Sequence, residues 1–181
     1  SDADGDLSSS FTAGSEFNVY KAANFASNRD GYFHYAINPH YLNSGCGTGI
    51  SNGIIGEDFI NSLCNRYDDY QWVAGTIMHE LGHNLGLRHG GNENRNYKPN
   101  YNSVMNYQYQ KSGVDNNCTL PGNGVLDYSH GTRPSLDENA LEEAEGICAW
   151  LGIQGTDWND DGDFDDVLAM NIDGRWKERS G

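Results

Sequence analysis

Apolar positions cluster in a few short windows of this chain, separated by long polar stretches rich in glycine. The clearest helical pattern runs from about Asp69 to Leu87, where Trp72, Val73, Ile77, Met78, Leu81 and Leu85 supply the apolar positions. Asp68 or Asp69 is placed to cap this helix, and Gly86 is a natural stop because glycine takes a left-handed conformation without steric cost. Gly31–Asn38, GYFHYAIN, is an aromatic and apolar run bounded by Gly and Pro, which predicts a strand. Gly53–Leu63, GIIGEDFINSL, predicts one or two short strands, and Asn18–Ala26 a short helix. Ser135–Ala149, SLDENALEEAEGICA, has a Ser cap, acids in its first turn and good helix formers, so a second helix is expected there. Residues 43–53 and 90–102 read as loops, and 1–16 as a poorly ordered terminus. The sum is an α+β fold, with strands and the long helix early and a loop-rich second half carrying one main helix.

A chain of 181 residues fits one domain, 1–181, with room for two lobes and a real core. Eleven Lys and Arg against 26 Asp and Glu give a net charge of −15. That argues against nucleic-acid binding, which needs a basic face, and against adsorption to anionic membranes. No apolar run approaches the roughly 20 residues that span a bilayer. An aromatic share of 12% speaks against disorder. The chain opens at Ser1 on polar residues rather than on a signal-peptide pattern, and a processed or trimmed form is expected. With no strongly apolar surface helix, the expected state is a monomer.

The cysteines are Cys46, Cys64, Cys118 and Cys148, with no CxxC pair to suggest a zinc-thiolate site. Four cysteines allow three connectivities, and the sequential one, Cys46–Cys64 with Cys118–Cys148, is expected. Each bridge would stabilise by roughly 2–4 kcal/mol and imply an oxidising, extracellular setting. Four reduced thiols in a cytosolic protein are the alternative.

One segment carries chemistry: His79-Glu80-Leu81-Gly82-His83-Asn84-Leu85-Gly86-Leu87-Arg88-His89. Helix positions four apart share a face, so His79 and His83 can address one metal ion. Glu80 is rotated about 100° around the axis and is placed to reach a water rather than the metal. On a continued helix His89 would lie about 9 Å beyond His83, so the chain must turn after Leu85, and Gly86 marks the place. Three neutral imidazoles leave the fourth position of a tetrahedral zinc ion open, a catalytic rather than a structural arrangement. A chance match in a chain of this composition is on the order of one in ten thousand or rarer.

This motif resembles that of the metzincin clan of zinc endopeptidases, H-E-x-x-H-x-x-G-x-x-H followed by a Met-containing turn. Ser103-Val104-Met105-Asn106-Tyr107 looks like that turn, which by resemblance makes Met105 an apolar floor under the histidines. Tyr107, two after Met105, resembles the tyrosine of astacins and serralysins, and the resemblance implies that it hydrogen-bonds the oxyanion. Gly90 departs from both, since astacins carry Glu after the third histidine and serralysins Pro. The runs KPNYNSVMNYQYQ and LDYS…RPSLDE look more like a group of bacterial secreted metzincin-like proteins. The resemblance covers roughly residues 72–130. It implies a twisted mixed sheet with the zinc helix in an N-terminal lobe, 1–89, and a C-terminal lobe, 90–181, carrying the Met-turn. It further implies a secreted endopeptidase acting on protein or peptide, with Glu80 as general base then acid. An edge strand within Gly53–Leu63 would pair with the extended substrate. A zinc exopeptidase, another zinc hydrolase, or a non-catalytic binding module on the same fold are the alternatives.

His34, His40 and His130 are expected to be surface or hydrogen-bonded residues, since a full set of three ligands exists without them. In the acidic end, Asp157, Asn159, Asp161, Asp163 and Asp165 fall at alternating positions of a calcium-loop pattern, with Gly162 at the bend. Leu168 stands where the last carboxylate belongs, and Asp166 or Asp173 could take its place. Asp2, Asp4 and Asp6 echo the pattern more weakly. A calcium loop and a solvated acidic tail are both open readings of this end.

Overall fold

Ser15 accepts a hydrogen bond from the Asn18 N–H and so starts helix α1, Glu16–Asn24, two residues before the apolar pattern suggests. Its Phe17 is fully buried with Leu7 and Ile60, and Phe11, Tyr20, Tyr35, Ile37 and Leu42 pack around them. This core belongs to the first of two compact units, Ser1–Arg88 and His89–Gly181. The computed structural model describes residues 5–47, 49–117, 122–147 and 155–172.

In the first unit, strand β1 (Asp6–Leu7) runs parallel to β3 (Tyr41–Leu42). The expectation of a loose terminus therefore fails from residue 6 onward, because the burial of Leu7 ties the segment down. A three-stranded sheet follows. Strand β5 (Asp58–Ile60) lies in its centre, parallel to β2 (Tyr35–Ile37) and antiparallel to β4 (Ile50–Ser51). This corrects the edge-strand expectation: Gly53–Leu63 supplies an interior strand, all three of whose residues are buried, and the edge lies within the predicted 43–53 loop. The predicted strand 31–38 also shortens. Gly31 turns the chain at φ +76°, and the N–H groups of Tyr32 and Phe33 donate to the Arg29 carbonyl instead of a ladder.

Helix α2 (Tyr70–Asn84) begins as expected, with the Asp69 carboxylate accepting the Trp72 N–H. Cys46 and Cys64 form a disulfide with a Cα–Cα distance of 5.4 Å, as the sequential pairing requires. Closing a loop of this length stabilises the fold by about 3 kcal/mol. Cys118 and Cys148 lie outside the described residues.

The second unit has its own core of Leu141, Ile147, Trp158 and Ile172, with Leu136, Leu168 and Met170 against it. A buried Arg133–Asp115 ion pair, 3.2 Å apart, adds main-chain bonds from the guanidinium to Pro99 and Asp115. Strands β6 (Leu141–Glu142) and β7 (Val167–Leu168) pair antiparallel. The second helix expected over Ser135–Ala149 is absent among the described residues 135–147. Asp137 instead accepts bonds from the Asn139 main-chain and side-chain N–H groups, a turn that competes with helix formation. Leu141 then buries itself in the core as a strand residue, so tertiary pairing overrides a favourable local propensity. The class is α+β, with small sheets and two α-helices among the described residues. No helix among them is long and apolar enough to cross a membrane.

Candidate metal centre

The end of α2 sets the geometry. Leu85 caps the helix, and Gly86 follows at φ +95°. The Gly86 N–H donates to the His83 carbonyl at 2.9 Å and the Leu87 N–H to the Gly82 carbonyl at 2.8 Å. These two bonds are the Schellman closure, which a left-handed glycine makes possible. The reversal leaves the Leu87 carbonyl facing back along the helix, where it accepts the His83 Nδ1–H at 2.8 Å. That bond fixes the tautomer and leaves Nε2 as the ligand atom. Burial holds the His83 pKa below its ordinary value, opposed by the Leu87 bond and assisted by the Arg88 charge, which favours the neutral ring a metal needs.

His79 and His83 are 1% and 8% exposed, with ring centroids 4.8 Å apart and planes at 89°. His79, His83 and His89 each offer one ring nitrogen, and these three atoms lie within 4.8 Å of one another. A metal ion can be held there. The donor set is three imidazole nitrogens with neither thiolate nor carboxylate, a set that suits a transition-metal ion.

Glu80 and Asn84, one helical turn apart, form a second buried row on α2. Desolvation pushes the Glu80 carboxyl up to about 7, against a lowering bond from the Ser51 N–H. The Ser51 hydroxyl donates to Asn84 Oδ1. Gly49 is what lets the chain pass so close, since a Cβ there would stand 2.6 Å from Glu80 Oε1. Sequence reasoning missed Gly49, Ser51 and Asn84, because nothing local marks residues 49–51 as the neighbours of a helix thirty positions on.

In the second unit the chain folds back directly after His89. The Gly90 N–H donates to the Glu93 carbonyl at 2.8 Å, and a Cβ on Gly90 would meet the Arg95 carbonyl at 2.3 Å. The Tyr107 ring lies against that of His89, centroids 4.5 Å apart and tilted by 49°. Tyr107 is 44% exposed, whereas Ser103, Val104, Met105 and Asn106 before it are buried. Asn106 organises this turn: its Nδ2 donates to the Lys98 and Tyr101 carbonyls, and its Oδ1 accepts the Tyr97 and Gln108 N–H groups. The Tyr107 N–H donates to Asn96 Oδ1 at 2.9 Å.

The remaining histidines have other partners. His34 Nδ1 lies 2.9 Å from the Glu57 carbonyl, His40 stacks on Tyr67, and His130 meets Asp127 at 3.0 Å.

Of the residues expected to form a calcium loop, Asp157 and Asp161 gather around Glu143, as do Asp163 and Asp166. Asn159 Nδ2 bridges Asp161 and Asp166 at 2.8 and 2.9 Å, and the Asp165 N–H donates to Asp163. Asp6 instead accepts bonds from Ser44 in the first unit. Asp2, Asp4 and Asp173 lie outside the described residues. Glu143 was missed because its own surroundings, LEEAEG, read as helix. The one signal was the Leu at the last position of the loop pattern, which called for a carboxylate from elsewhere.

No protein-family model matches this chain, and no solved structure matches it.

Proposed function

We propose that the protein is an extracellular zinc-dependent endopeptidase of the metzincin type. One observation carries the reading: three histidine nitrogens converge within 4.8 Å, at the end of a helix whose next residue after His79 is a buried glutamate. The Cys46–Cys64 disulfide supports the extracellular setting.

A bound zinc ion would supply Lewis-acid chemistry, lowering the pKa of a water and polarising the scissile carbonyl. The chain's own groups do the rest. Glu80 takes the proton of the attacking water at its carboxylate and delivers it to the leaving amine nitrogen. Gly49 and Ser51 hold that carboxylate in place from the strand side. Tyr107, anchored through its main chain to Asn96, directs its phenol to the carbonyl oxygen as negative charge develops. β4, rather than the central β5, is the edge of the three-stranded sheet, the place where an extended peptide would lie. Recognition of backbone rather than side chains suits internal cleavage of proteins.

The test is cleavage of a denatured protein at neutral pH by wild type, by wild type with a zinc chelator, and by Glu80→Ala. Internal cuts that vanish under both treatments support the reading. A folded, zinc-loaded wild type that cuts nothing overturns it.

A further inference from the structure

We propose that Glu143 closes a calcium site on the Asp157–Asp166 loop, with Asp157, Asp161, Asp163 and Asp166 as its other carboxylates. Glu143 is 0% exposed, and its Oε2 is buried without a hydrogen-bond partner. A carboxylate oxygen cut off from water and left unpartnered is costly unless a cation neutralises it. The same side chain offers an oxygen within 4.8 Å of those of Asp157 and Asp161, and within 4.8 Å of those of Asp163 and Asp166. Among the described residues it is the carboxylate common to both groups of the acidic loop.

The loop is wrapped around this residue. The Thr156 N–H donates to the Glu143 carbonyl at 2.8 Å, and the Glu143 N–H donates to the Asp166 carbonyl at 3.0 Å. Inside, Glu143 Oε1 accepts the Trp158 N–H at 2.7 Å. Both ends of the loop and its first turn are thus held to residue 143, while Oε2 stays available. The β6–β7 ladder delivers it: Glu142 pairs with Val167, which places Glu143 beside Asp166. This also accounts for Leu168. In a self-contained calcium loop that position supplies the last carboxylate, whereas here it packs against the core of the unit and the distant Glu143 takes over the role.

The donors are all carboxylate oxygens, which select a hard cation. Glu143 with either pair of aspartates brings three carboxylates together, and the two pairs overlap at Glu143, an oxygen-rich surround of the kind that fills the six to eight positions of calcium. Magnesium takes few protein ligands and keeps its waters. The site is independent of the histidine centre, so its failure would leave the peptidase reading untouched.

The experiment is calorimetric titration of the zinc-loaded full chain with calcium, then with magnesium, paired with thermal melts. Wild type should bind one calcium ion with Kd below about 1 mM, the range of extracellular sites, and melt higher with it. Glu143→Gln should weaken binding at least tenfold and abolish the calcium-dependent rise in Tm, while melting no lower than calcium-free wild type. Glu145→Gln, an exposed acid two residues on, removes the same charge and should bind as wild type. If Glu143→Gln does not fold, Asp161→Asn and Asp163→Asn, both on the exposed side of the loop, should each weaken binding. The proposal is overturned if wild type shows no calcium binding at several millimolar, or if magnesium binds as tightly. It is equally overturned if Glu143→Gln binds within twofold of wild type, or, should that variant not fold, if the two Asp variants do.

Discussion

The main-chain carbonyl of Leu87 accepts the Nδ1–H of His83 at 2.8 Å, and the carbonyl is there because Gly86 has turned the chain back. A stop signal and a ligand orientation are therefore one device. Gly86→Ala should cost about 1–2 kcal/mol of stability from the left-handed backbone alone. Its Cβ would also meet Ile55 Cγ1 at 3.2 Å. Because the Leu87 carbonyl shifts with the turn, zinc affinity should fall about tenfold as well. Thermal melts together with competitive zinc titration check both. A variant that melts lower but holds zinc as tightly would separate the turn from the ligand.

Gly49 tests the strand side of Glu80. A methyl group at 49 would overlap the glutamate carboxylate, 2.6 Å from Oε1. Gly49→Ala should leave bound zinc unchanged and lower kcat/KM by about 100-fold, the usual consequence of misplacing a reacting group by about 1 Å. Zinc content by elemental analysis and turnover on one peptide substrate give the comparison. Full activity would mean that Glu80 does not act from this position.

For Tyr107, phenol and ring make separable contributions. Tyr107→Phe keeps the ring against His89 and removes only the hydroxyl. If the hydroxyl stabilises developing charge, kcat should drop about 100-fold with KM and zinc content little changed. Equal kcat would reduce Tyr107 to a packing partner of His89.

Lys21 makes a prediction about alkaline pH. Burial works against its charge, yet hydrogen bonds to Asp58 and Asp30, together with their charges, hold its pKa above the ordinary value. The folded value exceeds the unfolded one, so this contribution is complete below about pH 10 and is lost as pH rises through the folded pKa. Lys21→Met should be less stable at neutral pH, because the buried Asp58 carboxyl loses its ion-pair partner. Urea midpoints taken from about pH 9 to about pH 12 should fall more steeply for wild type than for the variant. Parallel curves would show that the pair contributes nothing.

The histidine helix was legible because everything that defines it is local. Asp69 and Trp72 make the cap, Gly86 makes the stop, and four-residue spacing places His79 and His83. The Cys46–Cys64 bridge was legible by pairing neighbours in sequence. What stayed hidden depends on partners far along the chain. The acids of Ser135–Ala149 look like helix formers until Leu141 finds Leu168 and Glu143 finds the loop at 157–166. Gly49–Ser51 looks like loop until β5 claims the centre of the sheet and leaves Ile50–Ser51 its edge. Short strands of two or three residues carry too little alternation to announce themselves, so their register rests on burial of single residues such as Leu7 and Phe59.

Gly90 has a consequence for comparing chains of this kind. Its amide closes onto Glu93 and its missing side chain admits the Arg95 carbonyl. A side chain at 90 and this return of the backbone exclude each other. The residue at 90 is thus tied to the shape of the loop that follows His89 by sterics. A bulkier residue at 90 would force the backbone to leave His89 along a different path.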